Sequence, residues 1–182
     1  MKYDLLSKFD MNVLYLIKDI DGFTRDISHL VSMMTWARAT TLETVNGLSM
    51  EQLDFLVDKN SNSIGALLSH VAAVETLYQV VTFENRYFNE EEMKLWGTGL
   101  ELGGKARKEI IGYSIDHYLT ILKDVRQTTL NGLNERNDEW LYEETNWWRD
   151  KPANNYFKWF HVYEDEINHR GQMRVIKKLC NN

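Results

Sequence analysis

The chain has 182 residues, 27 acidic against 21 basic for a formal net charge of −6, with one proline and one cysteine. That length favours a single domain over residues 1–182 around one core, and an acidic balance without a long Lys/Arg run argues against a nucleic-acid partner. The lone Cys180 excludes an intrachain disulfide and a cysteine-rich zinc module, which fits a reducing compartment.

In chain order, residues 3–20 place Leu6, Phe9, Val13, Leu16, Ile17 and Ile20 at helical spacing. This predicts an additional N-terminal helix within residues 1–22 that lies on the rest of the fold. Lys8, Asp10, Lys18 and Asp19 interrupt it well short of the ~20 apolar residues of a membrane span. No small-residue cleavage site follows it, so the expectation is a soluble cytoplasmic protein without a membrane partner. Residues 24–46 carry one apolar stripe through Ile27, Leu30, Met34, Ala37, Thr41 and Val45, and Gly47 is the stop. A second helix is predicted over 63–83, capped by serines and striped by Ile64, Leu67, Leu68, Val71, Val74, Leu77, Tyr78 and Val81, with His70 inside it.

Residues 86–111 are long for a bundle loop. NEEEMKLW has the composition for one or two helical turns, and GTGLELGG, with four glycines in eight residues, is expected to be mobile. The third helix runs over 114–133 through Ile115, Leu119, Leu122, Val125 and Leu130, and Asn131-Gly132 weakens its end. The fourth starts after Lys151-Pro152, where proline is tolerated, and continues to about Leu179. The expected fold is therefore all-α: a four-helix bundle over 24–180 with the additional N-terminal helix.

The last helix contains HVYEDEINHRGQM, residues 161–173. Residues four apart stack on one helix face, so His161, Asp165 and His169 form a column with about 6 Å between neighbours. Neighbours in that column can share an ion. The outer two, about 12 Å apart along the axis, cannot. Asp165 with His169 is thus a candidate two-ligand clamp whose third ligand must come from another helix. The competing reading makes Glu164, Asp165 and Glu166 a solvated face, with Lys177 and Lys178 balancing the helix dipole. Glu166-Ile167-Asn168-His169 also spells the Glu-x-x-His unit of di-iron bundles, but only Asp26-Ile27-Ser28-His29 approaches a second copy, which argues against that site.

SIGALLSHVAAVE at 63–75 together with HVYEDEINHRGQM at 161–173 resembles the DinB-like superfamily of four-helix bundles, which includes YfiT-type metalloenzymes and thiol-dependent transferases. The resemblance extends from about residue 24 to 180. It implies a divalent ion, zinc or nickel, held by one histidine of the second helix and two of the last. His70 matches the first position, and His169, followed by Arg170-Gly171-Gln172, matches the third. At the middle position this chain has Asp165. Either His70, Asp165 and His169 hold the ion with positions left open for water and substrate, or the ion is lost and the bundle is a metal-free binding module. His161 is the alternative ligand.

The family chemistry implied is activation of a water or a low-molecular-weight thiol, for hydrolysis of or S-transfer to a small electrophile, and the family assembly implied is a homodimer. Met33, Trp36 and Tyr113, with Met34 beside them, are more apolar side chains than one stripe needs, which suits either a dimer or cover by the N-terminal helix. Glu75, five residues beyond His70, points away from it and suits a buried salt bridge. Arg170 suits pairing with a helix carboxylate. Gly171 suggests a close approach to the backbone, and Trp147, Trp148, Tyr156, Phe157, Trp159 and Phe160 are candidates to line a pocket. His29 and His117 lack ligand-spaced companions.

Overall fold

The computed structural model describes residues 13–147 and 150–180. In chain order the elements are α1 (Arg25–Val45), α2 (Met50–Asp54), α3 (Ile64–Phe83), α4 (Glu90–Glu101), α5 (Gly103–Glu109), α6 (Ile115–Asn134), α7 (Asp138–Leu141), β1 (Glu144–Asn146), β2 (Pro152–Asn154) and α8 (Asn155–Cys180). The four long helices fall on the four predicted apolar stripes, which makes the fold the expected all-α bundle. Local chemistry sets their ends. Ser63 caps α3 by accepting from the Ala66 amide at 3.2 Å, and Gly47 leaves α1 at φ +74°.

Around the bundle α1 packs on α8, α8 on α3, α3 on α6, and α6 closes on α1. Their directions follow from which core each end enters. One apolar cluster holds Val45, Leu67, Leu68, Tyr118, Leu122, Met173 and Ile176; the other holds Ile27, Leu30, Met34, Tyr78, Leu133, Trp159 and Val162. Helices α1 and α8 therefore run from the second cluster to the first, while α3 and α6 run from the first to the second. Two neighbouring helices that run the same way need a connection that returns the length of the bundle, about 30 Å for a 20-residue helix. Residues 84–114 are that connection, and this is why the segment is long.

Most of that return is helical. The stretch expected to be a mobile glycine loop forms the C-terminal half of α4 and the start of α5, broken at Leu102 with φ +55°. Gly97 and Gly99 are buried in α4, which packs on α3. A Cβ at Gly99 would lie 3.1 Å from the Ser69 carbonyl oxygen, so the glycine permits a backbone approach that any side chain would hold off.

Other expectations are corrected. Residues 13–15 form a turn and 16–20 are not helical, so this part of the expected N-terminal helix is absent; residues 3–12 lie outside those described. Tyr15 nevertheless rests on Trp36, with ring centroids 5.3 Å apart, and Met34 is fully buried in the core. Pro152 starts a strand and does not start α8: Glu144↔Asn154, Thr145↔Ala153 and Asn146↔Pro152 pair in a small antiparallel hairpin. Gly132 lies inside α6, against Phe83, and the helix continues past it to Asn134. Gly171 meets no close neighbour, since a Cβ there would find nothing within 4 Å.

The most apolar helix, α3, is long and apolar enough to pass for a membrane span by length and composition. However, 72% of its 18-residue window is buried inside the bundle, so packing accounts for its composition.

Candidate metal centre

The antiparallel contact of α3 with α8 brings His70 opposite the Asp165–His169 pair. One ligand atom from each of His70, Asp165 and His169 lies within 4.8 Å of the other two. His70 Nε2 is 3.5 Å from Asp165 Oδ2, His169 Nε2 is 3.4 Å from Asp165 Oδ1, and the two imidazoles meet edge to face with centroids 4.7 Å apart. All three side chains are between 12 and 17% exposed, so the cluster is sheltered from bulk water but reachable.

A backbone carbonyl sets the tautomer of His70. Its Nδ1 lies 3.0 Å from the Gly99 oxygen, and a carbonyl only accepts, so Nδ1 carries the proton and Nε2 presents a lone pair to Asp165. Gly99 can offer that oxygen because it sits in the last turn of α4, where carbonyls have no partner within the helix. The close approach of α4 allowed by the glycine thus orients a candidate ligand, an arrangement typical of metal-bound histidines.

The charges favour a cation. Burial pushes the His70 pKa down, more than Asp165 and the Gly99 carbonyl push it up, which favours the neutral ring that a metal requires. Burial would also lower His169, but Asp165 outweighs it and the net shift is upward. Burial opposes ionisation of Asp165; His169 and His70 more than offset it, leaving its pKa below the ordinary value. Asp165 Oδ2 is buried without a hydrogen-bond partner among the described residues. An unpaired buried carboxylate oxygen between two imidazoles is costly as it stands and fits the donor set of a divalent ion.

The three consecutive acids meet three different fates, so the solvated-face reading holds for one alone. Glu164 is 46% exposed and takes His161 Nδ1 at 3.1 Å, which removes His161 from the cluster. Asp165 enters the site. Glu166, 1% exposed, turns to the bundle axis and accepts from Arg38 Nε at 2.8 Å, which leaves no Glu-x-x-His metal unit. Arg170 donates to the Thr40 hydroxyl and forms no ion pair among the described residues. Of the proposed aromatic pocket, Trp159 is core and Phe157 and Phe160 are 50% and 42% exposed. A cavity of about 570 Å³ lies elsewhere, lined by Trp96, Ile110, Tyr113 and Ile121, and touches the site only through Ser69 and Gly99.

Sequence reasoning missed Arg38 and Arg126. Arg38 reaches both Glu166 and Glu75, the latter at 2.8 Å, and Arg126 Nε reaches Glu75 at 2.6 Å. The expected buried salt bridge of Glu75 is present. The missed signal was positional: Arg38 stands four residues after Met34 and three before Thr41, a charge inside an apolar stripe.

A four-helix bundle with a His/Asp/His cluster formed by its second and last long helices has the build of the DinB-like superfamily. The family model for mycothiol-S-transferase, within that superfamily, matches residues 29–181, and the chain belongs to this family. No curated protein matches the chain.

Proposed function

We propose that the protein is a divalent-metal-dependent S-transferase, in which His70, Asp165 and His169 hold the ion and a low-molecular-weight thiol is joined to a small electrophile. The family points to mycothiol as the thiol. The observation that carries the metal is the half-buried Asp165 carboxylate, its Oδ2 buried and unpartnered, between two imidazoles that approach it through Nε2.

A divalent ion supplies Lewis acidity, which favours the deprotonated form of a thiol near neutral pH. The chain's own part is positional. Gly99 fixes the proton of His70 on Nδ1, Asp165 contributes the negative charge, and the half-closed setting limits competing water. Aspartate at the middle position makes the donor set more negative than three neutral imidazoles would be. Zinc accepts such nitrogen and oxygen donors.

Chelator-free protein, prepared without an affinity-nickel step, should carry a single divalent ion per chain by elemental analysis. It should also consume mycothiol in the presence of an alkylating electrophile, with His70→Ala abolishing both. Metal-free protein that stays empty after soaking in zinc, nickel, manganese and iron salts would overturn the metal site; bound metal without thiol consumption would overturn the transferase.

A further inference from the structure

Every long helix contributes one charged side chain to a single buried cluster: Arg38 from α1, Glu75 from α3, Arg126 from α6 and Glu166 from α8. Arg38, Glu75 and Glu166 are 5%, 0% and 1% exposed at the side chain. Arg38 holds the centre. Its Nε and one terminal nitrogen reach the two oxygens of Glu166 at 2.8 and 3.3 Å, the same terminal nitrogen reaches Glu75 at 2.8 Å, and the other donates to the Leu122 carbonyl at 2.9 Å. Arg126 and Thr129 complete Glu75, at 2.6 and 2.7 Å from its Oε1. Formal charges cancel, and the carboxylates are fully bonded.

The placement of this cluster ties it to the site. It lies at the boundary of the two apolar clusters, as Arg38 on α1 falls between Met34 of one and Val45 of the other. Glu75 is five residues beyond His70 on α3, and Glu166 follows Asp165 directly on α8. The two steps point opposite ways along the axis, because α3 and α8 are antiparallel, and Arg38 joins the two carboxylates by bonding to Glu75 at 2.8 Å and to Glu166 at 2.8 and 3.3 Å. One guanidinium therefore bridges the two helices that supply His70, Asp165 and His169.

We propose that Arg38 is a positioning residue for the metal centre: by clamping Glu75 and Glu166 it fixes the rotation and register of α3 against α8, and so the separation of His70 from Asp165. Apolar packing constrains register loosely, since a small slide or rotation keeps side chains buried, whereas a planar fork bonded to two carboxylates does not tolerate it. A buried ionic cluster is in itself a poor source of stability, because well-packed apolar residues of similar volume often serve as well or better. Its worth here is geometric. The proposal rests on the metal reading above for its meaning, but not for its test.

Arg38→Lys keeps the charge and removes the fork, so it can satisfy one carboxylate and not both. Leu133→Ala is the control, a fully buried residue of the other apolar cluster whose truncation lowers stability without touching the ionic layer. Two readouts are needed: zinc affinity by chelator competition, and ¹⁵N-imidazole spectra of the metal-free protein. Arg38→Lys should weaken zinc by roughly 10- to 100-fold and shift the His70 and His169 ring signals, with Leu133→Ala changing neither. Should Arg38→Lys fail to fold, Glu166→Gln keeps the shape, weakens the clamp and should give the same two changes. Unaltered ring signals in the clamp variant, or equal losses in Leu133→Ala, would overturn the proposal. Failure of the wild type to bind zinc would instead overturn the metal reading, with the metal-free spectra still deciding the role of Arg38.

Discussion

His70 donates its Nδ1 proton to the carbonyl of Gly99, 3.0 Å away on a helix that lies outside the four-helix core. A histidine of α3 is thereby aimed by the backbone of α4, and the contact depends on glycine at 99. In Gly99→Ala the new Cβ would lie 3.1 Å from the Ser69 oxygen, so α4 must retreat by a few tenths of an ångström. The helix-propensity gain of alanine, about 1 kcal/mol, offsets part of the strain and should leave the melting temperature little changed. Zinc affinity should nevertheless fall, by roughly tenfold, because the orientation of His70 is lost. Unchanged affinity in a competition titration would show that the Gly99 contact does not matter for binding.

Asp165 lies between the two histidines, at 3.4 and 3.5 Å. Asp165→Asn keeps the shape and removes the charge, and should weaken zinc by at least roughly tenfold, since the amide is a poorer donor. Asp165→His restores three imidazoles and should hold zinc or nickel as well as the wild type does. Calorimetric titration of both variants decides the point; wild-type affinity in Asp165→Asn would shift the third ligand to solvent or to another side chain.

How far these features could be read in advance depended on how local they are. Stripes of apolar residues at three- and four-residue spacing placed α1, α3 and α6 to within a residue, because burying one face of a helix imposes that period. The pairing of His70 with His169 came from a family resemblance; spacing alone left the third ligand unassigned. Glycines at 97 and 99 misled, because the same residue that loosens a loop also lets two helices touch, and the local sequence does not separate these uses. The hairpin β1–β2 has three residues per strand, ETN and PAN, too short and too polar to show alternation. Arg38 and Arg126 became intelligible only once Glu75 and Glu166 were opposite them. Charges inside a stripe announce a buried partner but do not say which.

Burial alone would raise the pKa of Glu75, but Arg126 and Arg38 outweigh it and bring it from an ordinary 4.5 down to about 2. A carboxylate depressed in the folded state contributes stability that is fully present above pH 4.5 and is lost as pH falls toward 2, because the unfolded chain takes up its proton first. Urea midpoints of the wild type should therefore fall steeply between pH 4.5 and 2. Glu75→Gln, less stable at neutral pH, should show a flatter fall over that range. Parallel slopes for the two proteins would assign the acid sensitivity to other carboxylates.

Gly132 and Gly171 both sit inside long helices, so the same substitution brings each the same helix-propensity gain, about 1 kcal/mol for glycine to alanine. Their surroundings differ. A Cβ at Gly132 would lie 2.7 Å from Phe83 Cζ, and that ring is held in place, stacked on Trp159 at 5.4 Å and tilted against Trp140 at 5.7 Å. Neither α6 nor the aromatic group can yield without opening the core, so Gly132→Ala should destabilise by about 1–3 kcal/mol in spite of the propensity gain. Gly171 faces solvent on α8, and a Cβ there would meet nothing within 4 Å. Gly171→Ala should therefore stabilise by about 0.5–1 kcal/mol, with zinc binding unaltered. Urea denaturation of the two variants beside the wild type measures both effects, and the difference between them isolates the aromatic contact from the backbone contribution. A Gly132→Ala protein as stable as Gly171→Ala would mean that Phe83 can move aside and that glycine is not required where α3 meets α6.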